Sequence, residues 1–229
     1  MQNKQVLLLG IGNVLWADEG FGVRCIETLH QYYTFPHNVT LMDGGTQGIY
    51  LVQHVQAADI LVVFDAIDYG LEGGTLKTIE DADVPTFMGA KKMSLHQTGF
   101  QEVLATAQLL DSYPEKILLI GVQPVELEDY GGSLRPAVKA QIQPALQIAI
   151  EYLAQLGIQA IPRTTPLSTH EQLSPSQLAL AQYEAGRPSE EQACRVGDER
   201  ILANQAFQFD PKPSLIEQPV KVNVDHRRP

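Results

Sequence analysis

The chain has 229 residues, 44% of them hydrophobic and 19% charged, and a formal net charge of −11. That length suits one ordinary domain with a sizeable core plus an appendage, or two small domains. The acidity excludes a nucleic-acid surface, which needs a basic stripe, but it is compatible with a bound cation or a basic partner. The excess charge sits in residues 1–163, with 18 acidic and 9 basic side chains. The two cysteines, Cys25 and Cys194, form no CxxC pair, so neither a disulfide framework nor a thiolate zinc site is expected. Gln2, Asn3 and Lys4 lead straight into an apolar strand, so no signal peptide is expected. No apolar run approaches the ~20 residues of a membrane span. The expected location is cytoplasmic.

In chain order, Gln5–Gly10 reads as a strand buried on both faces, because Val6 to Leu9 are apolar without alternation. A glycine-rich turn and the acids Asp18 and Glu19 follow, then a helix over Gly20–Tyr33 that turns Phe21, Cys25, Thr28 and Leu29 inward. Val39–Asp43 is the second strand. Thr46 is the expected N-cap of a helix from Gln47 to about Gln56, with Ile49, Leu51, Val52 and Val55 inward. Ile60–Asp65 is the third strand, and Thr75–Ile79 alternates as an antiparallel edge strand would. Glu80–Lys92 has no period and reads as a loop or lid. Gln97–Leu110 is an amphipathic helix with Phe100, Val103, Leu104 and Ala107 on one face.

Ile117–Val122 is the next strand. A long helix then runs from Pro136 to Leu156, stopped by Gly157, with Pro144 predicting a kink or an early break. This pattern predicts an α/β fold: a three-layer α/β/α sandwich on a mostly parallel sheet with an antiparallel edge strand, of the phosphorylase/hydrolase-like kind. Residues 1–163 form that domain. Residues 164–229 are a C-terminal extension, partly helical or disordered, with one candidate helix over Leu173–Glu184 and a tail from Pro211.

If the three strands are parallel, Glu19, Asp43 and Asp65 stand at or just past their carboxyl ends, where an open α/β sheet keeps its functional crevice. His96 joins them from the turn Ser94-Leu95-His96-Gln97. Glu19, Asp65 and His96 make an N/O ligand set suited to nickel, zinc, iron or manganese rather than copper(I). Each also has a plain structural alternative, since strand-end acids and pre-helix histidines commonly cap helices. Asp43, followed by Gly44-Gly45-Thr46, suits a general base or a group that holds a water or a histidine, and equally a turn with an N-cap. Asp18 points elsewhere and complements the helix start. Gly10-Ile11-Gly12 invites a dinucleotide reading, but Leu15 occupies the third glycine position and the helix begins too late to meet a pyrophosphate. The remaining histidines have no acidic partner at useful spacing and read as surface residues. No nucleophile elbow is present, so covalent catalysis is not expected.

Several ordered motifs resemble the [NiFe]-hydrogenase maturation endopeptidases, peptidase family A31. They are Gly10-Ile11-Gly12-Asn13, Asp18-Glu19-Gly20-Phe21-Gly22-Val23, Asp43-Gly44-Gly45-Thr46-Gln47-Gly48, Phe64-Asp65-Ala66, Ser94-Leu95-His96-Gln97-Thr98-Gly99 and Gly121-Val122-Gln123-Pro124. The run Val125 to Ser133 is similar to the branch serving group 1 uptake hydrogenases, the HyaD, HupD and HoxM type. The resemblance covers about residues 4–163. It implies an aspartic-type endopeptidase that removes the C-terminal extension of the hydrogenase large-subunit precursor after nickel insertion. It implies that Glu19, Asp65 and His96 contact nickel presented by the substrate, and that Asp43 is a catalytic residue. The precursor is then the partner, with neither nucleic acid nor membrane insertion involved. A non-catalytic nickel checkpoint or chaperone module is the alternative.

Overall fold

A computed structural model describes residues 4–84, 95–168, 171 and 173–187, with the side chains of 95–99 excepted. The chain divides into two units, residues 1–189 and 190–229, the second lying outside the described residues. The expected lid over 85–92, Cys194, the segment 201–209 and the tail from Pro211 also lie outside them.

The strand β1 (Val6–Ile11) is buried at every position, as its unbroken apolar run predicts. It pairs in parallel with β3 (Val39–Gly45) on one side and β4 (Ile60–Ala66) on the other. β6 (Lys116–Val122) continues the parallel sheet beyond β4, and β5 (Leu76–Glu80) closes that edge antiparallel. The strand order is β3-β1-β4-β6-β5. A second ribbon pairs β2 (Tyr33–Thr34) with β7 (Ile161–Pro162).

Helices cover both faces. α1 (Phe21–Tyr32) and α5 (Ile142–Gln155) bury Phe21, Ile26, Leu29, Leu146 and Leu153 against Leu8, Val62 and Ile120. On the other face α2 (Val52–Gln56) and α3 (Leu95–Leu109) bury Val55, Phe100, Val103, Leu104 and Ala107 against Leu7, Leu9, Leu61 and Leu119. The alternation of one strand between two cores is why its sequence shows no polar face. The predicted three-layer fold with an antiparallel edge strand is therefore the observed one.

Three local expectations give way to backbone geometry, while the early break expected from Pro144 is observed. Residues 48–51 form a tight 3-10 turn before α2, so Thr46 is no N-cap and Ile49 turns outward, while Leu51 and Val55 stay buried. The predicted long helix is two pieces, α4 (Pro136–Lys139) and α5, separated at Ala140–Gln141. Pro144 lacks the N–H that would bond the Ala140 carbonyl, and its ring would strike that oxygen, so the break falls one turn upstream. α3 begins at Leu95, which places His96 within its first turn rather than before it. Residues 173–184 are not one helix: a 3-10 turn over Ser176–Leu178 and α6 (Leu180–Gly186) meet at Ala179, whose ψ of 137° is extended. The stop at Gly157 holds as expected. Gly157 takes φ +78°, its N–H reaches the Ala154 carbonyl, and the Ile158 N–H reaches that of Leu153.

α1 docks on the sheet through backbone rather than side chains. A Cβ on Gly10 would lie 2.3 Å from the Gly22 carbonyl oxygen, and one on Gly22 would lie 2.2 Å from that of Phe64. Since both obstacles are main chain, nothing can move cheaply aside. Gly22→Ala is expected to destabilise the fold by about 3 kcal/mol or more, read as a lowered urea midpoint at unchanged m-value.

Candidate active site

Chain direction changes sides between β1 and β4: β1 leads through α1 to β3 on one side, and β4 leads on to β6 on the other. The crevice of an open sheet lies at such a switch point, beyond the carboxyl ends. Asp65 lies on one bank of it, near the end of β4, and the turn carrying Glu19 packs against that strand. Glu19 belongs to a 3-10 turn, Ala17–Gly20, that rests over the strand tips. A Cβ at Gly12 would sit 1.7 Å from the Glu19 carbonyl oxygen, and Gly12 itself takes φ +129°, so glycine is required twice over. Ala17, just before the acids, is held at φ +38°, a conformation an alanine adopts only when its surroundings impose it.

Asp18 imposes much of it. Its side chain is fully buried and does not serve the helix dipole, as its place in the sequence suggests. One oxygen accepts the N–H groups of Val125 (2.8 Å) and Glu126 (2.9 Å), and the other accepts that of Arg135 (2.7 Å). The Asp18 N–H returns a bond to the Glu126 carbonyl at 3.1 Å. The loop 123–135 is thereby clamped onto the turn carrying Glu19. Trp16 and Tyr130 meet beside it as a tilted ring pair, centroids 5.3 Å apart at an interplanar angle of 60°, and Arg135 pairs with Asp129 at 2.9 Å.

Asp65 is the penultimate residue of β4, 4% exposed, one residue beyond Phe64. Register places Phe64 with the α1 core, so Asp65 faces the α3 side of the sheet. Its neighbour there is Tyr69, which the motif reading missed. A Cβ on Gly121, the register partner of Asp65, would lie 1.8 Å from the Tyr69 hydroxyl, so this glycine makes room for a phenol. Burial, and then the Asp65 charge, push that phenol well above its usual value. Gln123 fixes the loop: its Oε1 accepts the N–H of Tyr69 (2.7 Å) and of Leu71 (3.1 Å), while its Nε2 donates to Asp68 (3.1 Å). The signal in the sequence was the pair Gly121 and Gln123, whose partners lie about fifty residues upstream.

Asp43 pairs in register with Gly10, which also pairs with Phe64, so its side chain falls on the opposite, α1 face from Asp65. It accepts the Gly45 N–H at 2.9 Å, which is the turn chemistry expected of it, and lines a crevice of about 150 Å³ with Gly12, Asn13, Val14, Gly45 and Thr46. Burial raises its carboxyl above the ordinary range; the Gly45 N–H opposes this, Glu27 adds to it, and Ser174 and Arg24 oppose it. His96 lies on the first turn of α3, toward which Asp65 faces, but its side chain is outside the described residues. Among the described residues no three His, Cys, Asp or Glu side chains come together as a metal site. The oxygen donors Glu19 and Asp65 with one imidazole would suit a borderline divalent ion. Of the other histidines, His30 is half-buried, and burial followed by Arg163 lowers its pKa.

A family model described as hydrogenase maturation protease matches residues 23–152, more than half of the chain, and the chain belongs to that family. The hydrogenase expression/formation protein HupM of Azotobacter chroococcum is 62% identical over 205 residues, 90% of this chain and 97% of the relative. HoxM of Azotobacter vinelandii is 61% identical over 210 residues, 92% of this chain and 100% of the relative. Matches of that length run through residues 174–187. The hydrogenase 2 maturation protease of Escherichia coli is 39% identical over 160 residues and 96% of its own length, too short to hold both the α/β domain and that segment. The solved structure of the maturating endopeptidase HybD from E. coli superposes with a TM-score of 0.67 at 38% identity, covering 70% of this chain and 98% of that one. No described helix is long and apolar enough to cross a membrane.

Asp18→Asn keeps the shape of the clamp but presents an amide N–H to a backbone N–H. It is expected to cost about 3 kcal/mol, measured as a fall in the thermal midpoint, because a buried donor is left facing a donor.

Proposed function

We propose that this protease removes the C-terminal extension of the [NiFe]-hydrogenase large-subunit precursor once nickel is in place. In this reading it recognises the precursor through the nickel itself, with Glu19, Asp65 and His96 as the residues that meet the ion. What supports the reading is a buried Asp65 near the end of β4, with the turn that carries the half-buried Glu19 packed against the same strand, in a chain of the maturation protease family.

The chemistry follows from the donor set. Two carboxylates and an imidazole without a thiolate bind nickel weakly alone, yet complete the shell of an ion that arrives on the precursor's cysteines. Nickel in that position supplies Lewis acidity to the scissile carbonyl or to a water. Asp43, held above its ordinary range by burial, is a better proton acceptor than an exposed aspartate and serves as the catalytic aspartate of an aspartic-type peptidase. Its place on the α1 face makes the small crevice beside Gly12 and Gly45 the path of the peptide. Tyr69, a proton donor that does not ionise at neutral pH, stands on the Asp65 bank.

The test is incubation of the protein with nickel-loaded precursor, read by mass spectrometry. Loss of the C-terminal peptide is the expected outcome. Glu19→Ala and His96→Ala are each expected to abolish the mass loss, by about a hundredfold or more in rate, with unchanged far-UV circular dichroism. Nickel-dependent binding without a mass change would instead mark a checkpoint module, and normal processing by both variants would remove the site assignment.

A further inference from the structure

The segment 174–187 lies beyond the α/β domain and is pinned to it by polar contacts. Arg24 of α1, 2% exposed, donates to the Leu178 carbonyl at 2.5 Å, and its guanidinium lies 5.6 Å from the centre of the Tyr183 ring. The Tyr183 hydroxyl donates to the Gly132 carbonyl at 3.1 Å. Glu184 accepts from Ser133 at 2.9 Å and pairs with Lys139 at 2.7 Å. The helix α1, the loop 123–135 and α4 thus each hold this strap in place.

Between the strap and the domain lies a groove of about 300 Å³. The domain lines it with Leu15, Tyr130 and Gly131, and the strap with residues that include Gln182, Tyr183 and Arg187. Leu15 directly follows Asn13 and Val14, which line the crevice beside Asp43, and its carbonyl accepts the Gly131 N–H at 2.7 Å. One stretch of backbone, residues 12–15, is therefore the shared edge of the two hollows.

Two features of the lining state what fits there. Tyr130 is 58% exposed, and an exposed aromatic ring beside a groove is a side chain of the type that anchors protein partners. Arg187 is the one charged residue of the lining, and its Nε has no hydrogen-bond partner among the described residues. A guanidinium with unused donors favours a carboxylate, which it holds through two parallel bonds.

We propose that the groove seats the precursor. The polypeptide at the cut lies in the crevice beside Asp43, and the same chain continues over residues 12–15 into the groove, with an acidic side chain on Arg187 and an apolar one against Leu15 and Tyr130. The proposal rests on the processing role and the peptide path given above. Because the strap is already fixed, the partner meets a formed wall, and less ordering is lost on binding. The groove also gives a use to a segment that the longer relatives share.

The experiment places the photo-crosslinking amino acid p-benzoylphenylalanine at the exposed Gln182 of the full-length chain and irradiates it with nickel-loaded precursor. A covalent adduct with the precursor, located by mass spectrometry of the digest, is expected. Adducts formed only within the chain or with a second copy of it overturn the proposal, as does the absence of any adduct. In parallel, Arg187→Glu is expected to raise the KM for the precursor about tenfold with kcat within about twofold of wild type, and Arg187→Lys to recover most of that loss. An unchanged KM in R187E overturns the proposal, and so does an equal rise in R187K. If the wild type leaves the precursor uncut, the reading of function fails, while the adduct still decides whether the precursor fills the groove.

Discussion

The structure around the switch point depends on one buried carboxylate. Asp18 has no exposed atoms to share with water, and three backbone N–H groups from positions more than a hundred residues away supply its bonds. Such an arrangement is costly to leave half made, so the turn 17–20 and the loop 123–135 form together or not at all. Asp18 is committed to that loop, while Glu19, the next residue, stays half-buried on the same turn, which packs against β4.

The sheet supplies the second level of order. Alternation along β3 and β4, with Gly10 paired to both Asp43 and Phe64, sends Asp43 to the α1 face and Asp65 to the α3 face. The two acids have different neighbours for that reason. Asp65 stands with Tyr69 over Gly121, whereas Asp43 stands near Arg24, Glu27 and Ser174. Three acids at strand ends do not form a single ring, since a sheet has two sides even at its edge.

How much of this is legible in the sequence follows from the range of each interaction. Strands buried on both faces announce themselves through runs such as Leu7-Leu8-Leu9 and Ile60 to Phe64, so the layers and the parallel order could be read directly. Strand-end placement of Asp43 and Asp65 followed from the same runs. Local terms were legible only where one residue decides them: Gly157 ends its helix and Pro144 breaks its own early, both as expected, but Thr46 loses its cap to a tight turn. The partners of Asp18 and Gly121 are invisible in the chain, because each is set by a loop far away in sequence. Those two positions carry most of what the site adds to the fold.

The sheet and its clamp have one further consequence. The chain holds a single tryptophan, and it is the half-buried indole of Trp16 paired with Tyr130 at the rim of the 123–135 loop. Any event that shifts that loop alters the polarity around this one ring, so the emission of the unmodified protein is a built-in optical gauge of the crevice mouth, with no other indole to blur it.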